Sequence, residues 1–263
     1  MTPTELIALA KKQGISALAL TDHNTTGGLA EFLSAAGENG VEAVPGCEFS
    51  TEFEGQELHI VALFLEKASW KEVEDYVELM HIAKHNSNLK LLKKLSEGGF
   101  KLEYEEVKAL TDAKEFNRNH VARALLKKGY VPSVDAAFKT LLKKGGGFYE
   151  PAKKLGTLAT IRFIKHQGGA AVWAHPFFSV KDKDRVDYIL SKAAPAGLDA
   201  IETDYTTYTQ EQTKTAKALA DKYNLLYSGG SDFHGEGKPD ISLGTGYGNL
   251  KVPYEYYEKL KNA

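Results

Sequence analysis

Four apolar runs in this chain each stop abruptly on residues of another kind. Ala17-Leu18-Ala19-Leu20 breaks into Thr21-Asp22-His23-Asn24, and the run from Val41 ends on Gly46-Cys47-Glu48. Ala170–Ala174 meets His175-Pro176, and Leu225–Tyr227 opens into Ser228-Gly229-Gly230-Ser231-Asp232-Phe233-His234. Short apolar runs bounded by Gly and Pro predict buried strands. Helical patterns stand between them. Thr2-Pro3-Thr4-Glu5 is a start signal, with Thr2 as N-cap, Pro3 at the first helical position and Glu5 closing a capping box. Leu6, Ile7, Leu9 and Ala10 form the apolar face, and Gly14 is the stop. The spacing then predicts a strand over 15–21, a helix over 29–36 and strands over 41–50 and 58–65. This α-β-α-β order predicts a parallel α/β sheet or barrel.

From Ser69 to Lys144 the rhythm changes. A long helix is predicted over 70–95, followed by shorter ones over 103–110, 119–128 and 133–143, with no strand among them. The block reads as an all-helical insertion, residues 66–154, in an α/β body made of 1–65 and 155–263. The body resumes with a helix over 157–167, a strand over 170–174 and a helix over 182–193. A strand over 199–203, a helix over 209–223 and a strand over 225–228 come next. A short strand over 243–248 and a helix over 253–261 close the chain.

Composition narrows the setting. No segment approaches the ~20 consecutive apolar residues of a membrane span, and Met1-Thr2-Pro3-Thr4-Glu5 has neither the basic start nor the apolar centre of a secretory signal. Cys47 is the single cysteine, which excludes an intramolecular disulfide and fits a reducing cytoplasm. Charge is uneven. The formal net charge is −2, yet 66–154 holds 18 Lys+Arg against 13 Asp+Glu, and Lys114–Lys154 holds 10 against 3. A basic segment that includes Lys127, Lys128, Lys143 and Lys144, beside an acidic body, suits an anionic substrate.

His23, Glu48, His59, His175, Asp232 and His234 are the candidates for chemistry. Imidazoles with carboxylates suit Zn²⁺, Mn²⁺ or Fe²⁺, and a carboxylate can bridge two ions. Strand ends that converge would bring these residues to one centre. His81 and His85 are four apart on a predicted helix without a third ligand in view, and read as a solvated face. Arg118, His120 and Arg123 can hold a phosphate through guanidinium forks and an imidazole. Lys154, with Lys153, stands where the insertion returns to the body. Glu202 ends a strand and reads as a support for the ligands. Cys47 reads as a small buried apolar side chain.

Together these stretches have a familiar order. Leu20-Thr21-Asp22-His23-Asn24, Gly46-Cys47-Glu48, Leu58-His59-Ile60, Ala174-His175-Pro176 and Ser231-Asp232-Phe233-His234 resemble the motifs of the PHP (polymerase and histidinol phosphatase) superfamily, over nearly the whole chain. Asn119-His120-Val121-Ala122-Arg123-Ala124-Leu125, Lys128-Gly129-Tyr130-Val131 and Ala136-Ala137-Phe138 look like the insertion of one branch, the nucleoside 3′,5′-bisphosphate phosphatases and ribonuclease AM-type 5′→3′ exonucleases.

The resemblance implies a distorted seven-stranded β/α barrel around up to three divalent ions. It implies hydrolysis of phosphate esters of small nucleotides or short 5′-phosphorylated RNA by a metal-bound hydroxide. Stable DNA and membrane partners are not expected. Carried over by position, Glu48 bridges two ions, His59 and His175 join it on one, Asp232 serves the other, and His23 and His234 serve a third. Glu48, His175 and Asp232 are thereby the catalytic centre, and Arg118, His120, Arg123 and Lys154 the substrate contacts. The family's opening strand, with its His-x-His pair, has no counterpart from Met1 onward. The expectation is therefore a barrel without its first strand, holding fewer ions, with Met1 an internal methionine. Two rival readings are a PHP-like protein that binds metal or nucleotide without turnover, and a histidinol-phosphate phosphatase.

Overall fold

The computed structural model describes residues 1–111, 114–143, 145 and 147–263; Lys144 of the basic run lies outside them. The chain divides into two compact units, Met1–Glu74 with Leu155–Ala263, and Asp75–Lys154.

The first unit is an α/β body around one seven-stranded mixed sheet. Helix α1 (Pro3–Lys12) starts as its sequence dictates: the Thr2 hydroxyl accepts from the Glu5 N–H, and the Glu5 carboxylate accepts from the Thr2 N–H. It leads into β1 (Ala17–Leu20), α2 (Leu29–Asn39), β2 (Glu42–Phe53) and β3 (Gln56–Leu63). After the second unit come β4 (Leu155–Gly156), α7 (Thr157–His166), β5 (Ala170–Ala174), the short α8 (Pro176–Ser179) and α9 (Lys183–Ala193). The body ends with β6 (Ala200–Tyr205), α10 (Gln210–Lys222), β7 (Leu226–Gly230) and α11 (Tyr254–Lys261).

The strand order is β1-β2-β3-β5-β6-β7, with β4 paired to β2. The outer strands run parallel, but β3 runs antiparallel to both β2 and β5. This corrects the all-parallel expectation. The cause is a two-residue turn, Glu54-Gly55, with φ of 48° and 80°. Positive φ at both central positions matches the twist of a hairpin and folds β3 straight back on β2. The end strands β1 and β7 face a common cavity of about 750 Å³, lined by Ala17, Ala19, Ser228 and Gly230 among others. The predicted strand over 243–248 does not form; only a bridge between Ser242 and Gly246 is present. Gly244, Gly246 and Gly248 all have φ between 59° and 89°, which a strand cannot accommodate.

The second unit is helical. Most of α3 (Trp70–Glu97) and all of α4 (Tyr104–Lys108), α5 (Arg118–Lys127) and α6 (Val134–Lys139) belong to it. It has its own core, with Leu91, Leu95, Val107, Phe116, Val121 and Leu125 almost wholly buried. His85 is not a simple solvated histidine, as the sequence suggested. Its Nδ1 lies 2.8 Å from Glu115 Oε1, and the same carboxylate accepts from Tyr104 Oη at 3.0 Å and from Asn88 Nδ2 at 2.9 Å. Among the described residues no helix is long and apolar enough to cross a membrane.

Candidate metal centre

Glu48 is the hub, and the backbone explains why. It sits within β2, held from both sides. Its N–H donates to Asp22 O at 3.1 Å, and its carbonyl accepts from Asn24 N–H at 2.9 Å. On the other side Glu48 faces Val61 of β3. The Asn24 side chain fixes the turn after β1 by accepting from Ser50 N–H at 3.1 Å. His23 is thereby carried alongside Glu48. His59 reaches it from β3, where it pairs with Ser50 on one side and Ala174 on the other. His175 is the next residue along, the first past β5.

Three imidazoles surround one carboxylate. His59 Nδ1 lies 2.8 Å and His175 Nε2 3.3 Å from Glu48 Oε1, and His23 Nδ1 lies 3.7 Å from Oε2. The rings meet edge to face, His23 with His59 at 5.2 Å and His59 with His175 at 5.1 Å. Ligand atoms of His23, Glu48 and His59 all lie within 4.8 Å of one another. Burial pushes the Glu48 carboxyl up, but hydrogen bonds from His175 and His59 and the nearby His23 outweigh it and hold the group well below the usual carboxylate range. The donor set fits a divalent cation. His175 turns Nε2 toward the carboxylate, and its Nδ1 is buried without a hydrogen-bond partner among the described residues.

Asp232 and His234 form a neighbouring pair after β7. His234 Nδ1 lies 3.3 Å from Asp232 Oδ1, and the His234 ring is 5.8 Å from that of His23. Tyr205 Oη and Lys238 Nζ hold Asp232 Oδ2 at 2.8 and 2.6 Å. Asp232 and His175 both have positive φ, 54° and 35°. For residues with a Cβ this conformation carries strain of about 1–3 kcal/mol. The His175 conformation is supported by Glu202, whose Oε2 accepts the His175 N–H at 2.7 Å. Glu202 is buried; burial, with Asp232, Glu48 and Asp204 nearby, pushes its carboxyl up despite that hydrogen bond. Cys47, wholly buried beside the hub, is pushed up to about 12 by burial and stays a thiol.

Arg118, His120, Arg123 and Lys154 belong to the helical unit. Arg118 opens α5, its guanidinium 4.5 Å from the Tyr149 ring centre and 5.4 Å from that of Phe138, with one N–H donated to Leu142 O at 3.3 Å. His120 Nδ1 accepts the Asn117 N–H at 3.2 Å and completes a capping box, while Arg123 is exposed and Lys154 half-buried. Tyr205 and Lys238 escape a reading of sequence alone. A register shift between Glu202 and Asp204 breaks the alternation from which the facing of Tyr205 would be counted.

The PHP domain family model matches residues 1–168. This chain belongs to the PHP domain family. A 5′-3′ exoribonuclease of Haemophilus influenzae is 32% identical over 234 residues, 89% of this chain and 85% of the relative. A 3′,5′-nucleoside bisphosphate phosphatase of Chromobacterium violaceum is 29% identical, over 92% and 85% of the two chains. A solved amidohydrolase of Chromobacterium violaceum, carrying sulfate and no metal, superposes with a TM-score of 0.70 at 25% identity, covering 100% of this PHP chain and 91% of its own.

Proposed function

We propose that this PHP chain is a metal-dependent phosphoesterase that hydrolyses phosphate esters of small nucleotides or of short 5′-phosphorylated RNA. The observation that carries the reading is the convergence of His23, His59 and His175 on the two oxygens of Glu48. Divalent ions would be held by these four residues and by Asp232 and His234. When bound they would neutralise charge on the phosphoryl oxygens and make a water more acidic.

The chain's own groups set the geometry. Glu48 supplies the charge that draws cations to a half-enclosed site. Glu202 holds His175 in its left-handed conformation, so that the imidazole points at the carboxylate. Tyr205 and Lys238 fix one oxygen of Asp232 and leave the other beside His234. We assign Arg118, His120, Arg123 and Lys154 to the recognition of substrate phosphates. Arg118 is preorganised by two aromatic rings and retains N–H groups for an anion. The names of the relatives, an exoribonuclease and a bisphosphate phosphatase, support a nucleotide substrate. The lone cysteine favours the cytoplasm as its place of action.

The test is metal content together with phosphate release. Purified protein is loaded with Mn²⁺, Zn²⁺ or Fe²⁺ and assayed on adenosine 3′,5′-bisphosphate, a 5′-phosphorylated oligonucleotide and histidinol phosphate. The nucleotide substrates should release phosphate fastest, and His59→Ala or His175→Ala should lower bound metal. Unchanged stoichiometry and affinity in both variants would remove these residues from the centre. Faster release from histidinol phosphate would remove the nucleotide reading.

A further inference from the structure

Phe178 is an aromatic side chain beside the metal centre that faces water with more than half its surface. Its neighbours Phe177, Tyr205 and Tyr208 are at most 8% exposed, whereas Phe178 is 54% exposed. It follows the ligand His175 by three residues, on the short helix that begins with Pro176. That helix is firmly seated: Phe178 N–H donates to His175 O at 2.9 Å, Val180 N–H to Pro176 O at 2.9 Å, and Phe177 N–H to Tyr208 Oη at 2.8 Å. The ring is braced too, with centroids 5.6 Å from His175 and 6.2 Å from Tyr205, in T-shaped arrangements at 78° and 63°. Lys181 brings its ammonium to 5.5 Å from the ring centre. An apolar ring held rigidly with half its surface in water gains little from core packing. It does present a π-surface of fixed orientation within one ring's reach of a phosphate-binding centre.

We propose that Phe178 is the platform on which the substrate's nucleobase stacks while the metal centre holds its phosphate. The inference deepens the nucleotide reading above and rests on it. A base joined to the phosphate through a single sugar spans the short distance from His175 to Phe178. Stacking on an aromatic ring tolerates any base, because every base has a π-face. The site would therefore favour nucleotides over plain sugar phosphates, with little choice among the four bases. Lys181 adds a positive charge at the same rim.

The probe is a matched pair, AMP and ribose 5-phosphate, which differ only in the base. Their dissociation constants are measured by titration calorimetry on the metal-loaded protein. The parent should bind AMP at least about tenfold more tightly, within the range that stacking of one base supplies. Phe178→Ala should bring the two affinities to within about twofold, and Phe178→Trp should keep the preference. Using the ratio cancels any change that either variant makes in metal loading. A parent preference that survives intact in Phe178→Ala would overturn the platform and leave the nucleotide reading standing. A parent with no preference for AMP would overturn both.

Discussion

Replacing Glu202 separates a hydrogen-bonding role from a charge. Its Oε2 is the acceptor for the His175 N–H, and both residues are buried. Glu202→Ala leaves that N–H without a partner, at a cost of about 1–3 kcal/mol. It also removes one buried methylene, about 0.8 kcal/mol. Release of a carboxyl crowded by Asp232, Glu48 and Asp204 offsets part of this. The net loss is about 2–3 kcal/mol, which lowers Tm by roughly 4–12 °C for a body of this size. Without its acceptor, His175 also loses the support for its left-handed conformation. Loss of such support for a ligand typically weakens metal binding about 10–100-fold. Glu202→Gln keeps an oxygen at the same place and should stay within about 1 kcal/mol of the parent. Scanning calorimetry of the metal-free protein and competition against a chelating dye read the two effects. If the Gln variant fell as far as the Ala variant, the hydrogen bond would not be the reason for the residue. If the Ala variant melted and bound metal like the parent, Glu202 would be filler.

The helical unit offers further expectations. Burial pushes the Glu115 carboxyl up, but hydrogen bonds from Asn88, His85 and Tyr104 outweigh it and depress the folded pKa. A depressed carboxylate stabilises above its unfolded value of about 4.5 and loses that contribution as pH falls through the lower folded value. Glu115→Gln should therefore cost about 1–2 kcal/mol at pH 7 in urea denaturation, and the gap to the parent should close in acid; a gap that widened would contradict the sign. His120→Ala should raise KM for nucleotide substrates severalfold with metal content unchanged, besides a loss of about 0.5–1 kcal/mol from the missing Asn117 N–H to His120 Nδ1 bond. Equal KM values would confine His120 to capping α5.

Much of the centre could be read from the sequence because strands announce their ends. The run before His175 is apolar up to the last residue and the run before His23 as far as Leu20, so the polar residues that follow fall at the strand mouth. The capping box at Thr2 and Glu5 likewise appears in the structure as the local chemistry requires. What escaped depends on backbone geometry that residue types do not declare. Glu54 adopts φ of 48° without being glycine, so the hairpin that turns β3 around is not announced by an Asn-Gly or Asp-Gly pair. The shift beside Glu202 hides the facing of Tyr205. A short strand is predicted over 243–248, and the left-handed glycines within it form turns instead. Lys238 reaches Asp232 from an irregular segment with no periodic signal at all.

The place of the helical unit in the chain has a kinetic consequence. β3 and β5 are sheet neighbours, His59 opposite Ala174 and Leu63 opposite Ala170, yet all of Asp75–Lys154 lies between them in sequence. Zipping these strands in an unfolded chain means closing a long loop, whose entropic cost rises with the logarithm of its length and slows the search. The helical unit ties its own beginning to its end, since Ser87 Oγ donates to Glu150 O at 2.7 Å and Lys94 pairs with the Glu150 carboxylate. Once it has condensed on its own core, the two strands are joined by a much shorter effective tether. The topology thus favours a sequence of events in which the helices assemble early and the middle of the sheet late. His59 and His175 gather on Glu48 only when that middle closes, so the proposed metal centre would be completed near the end of folding.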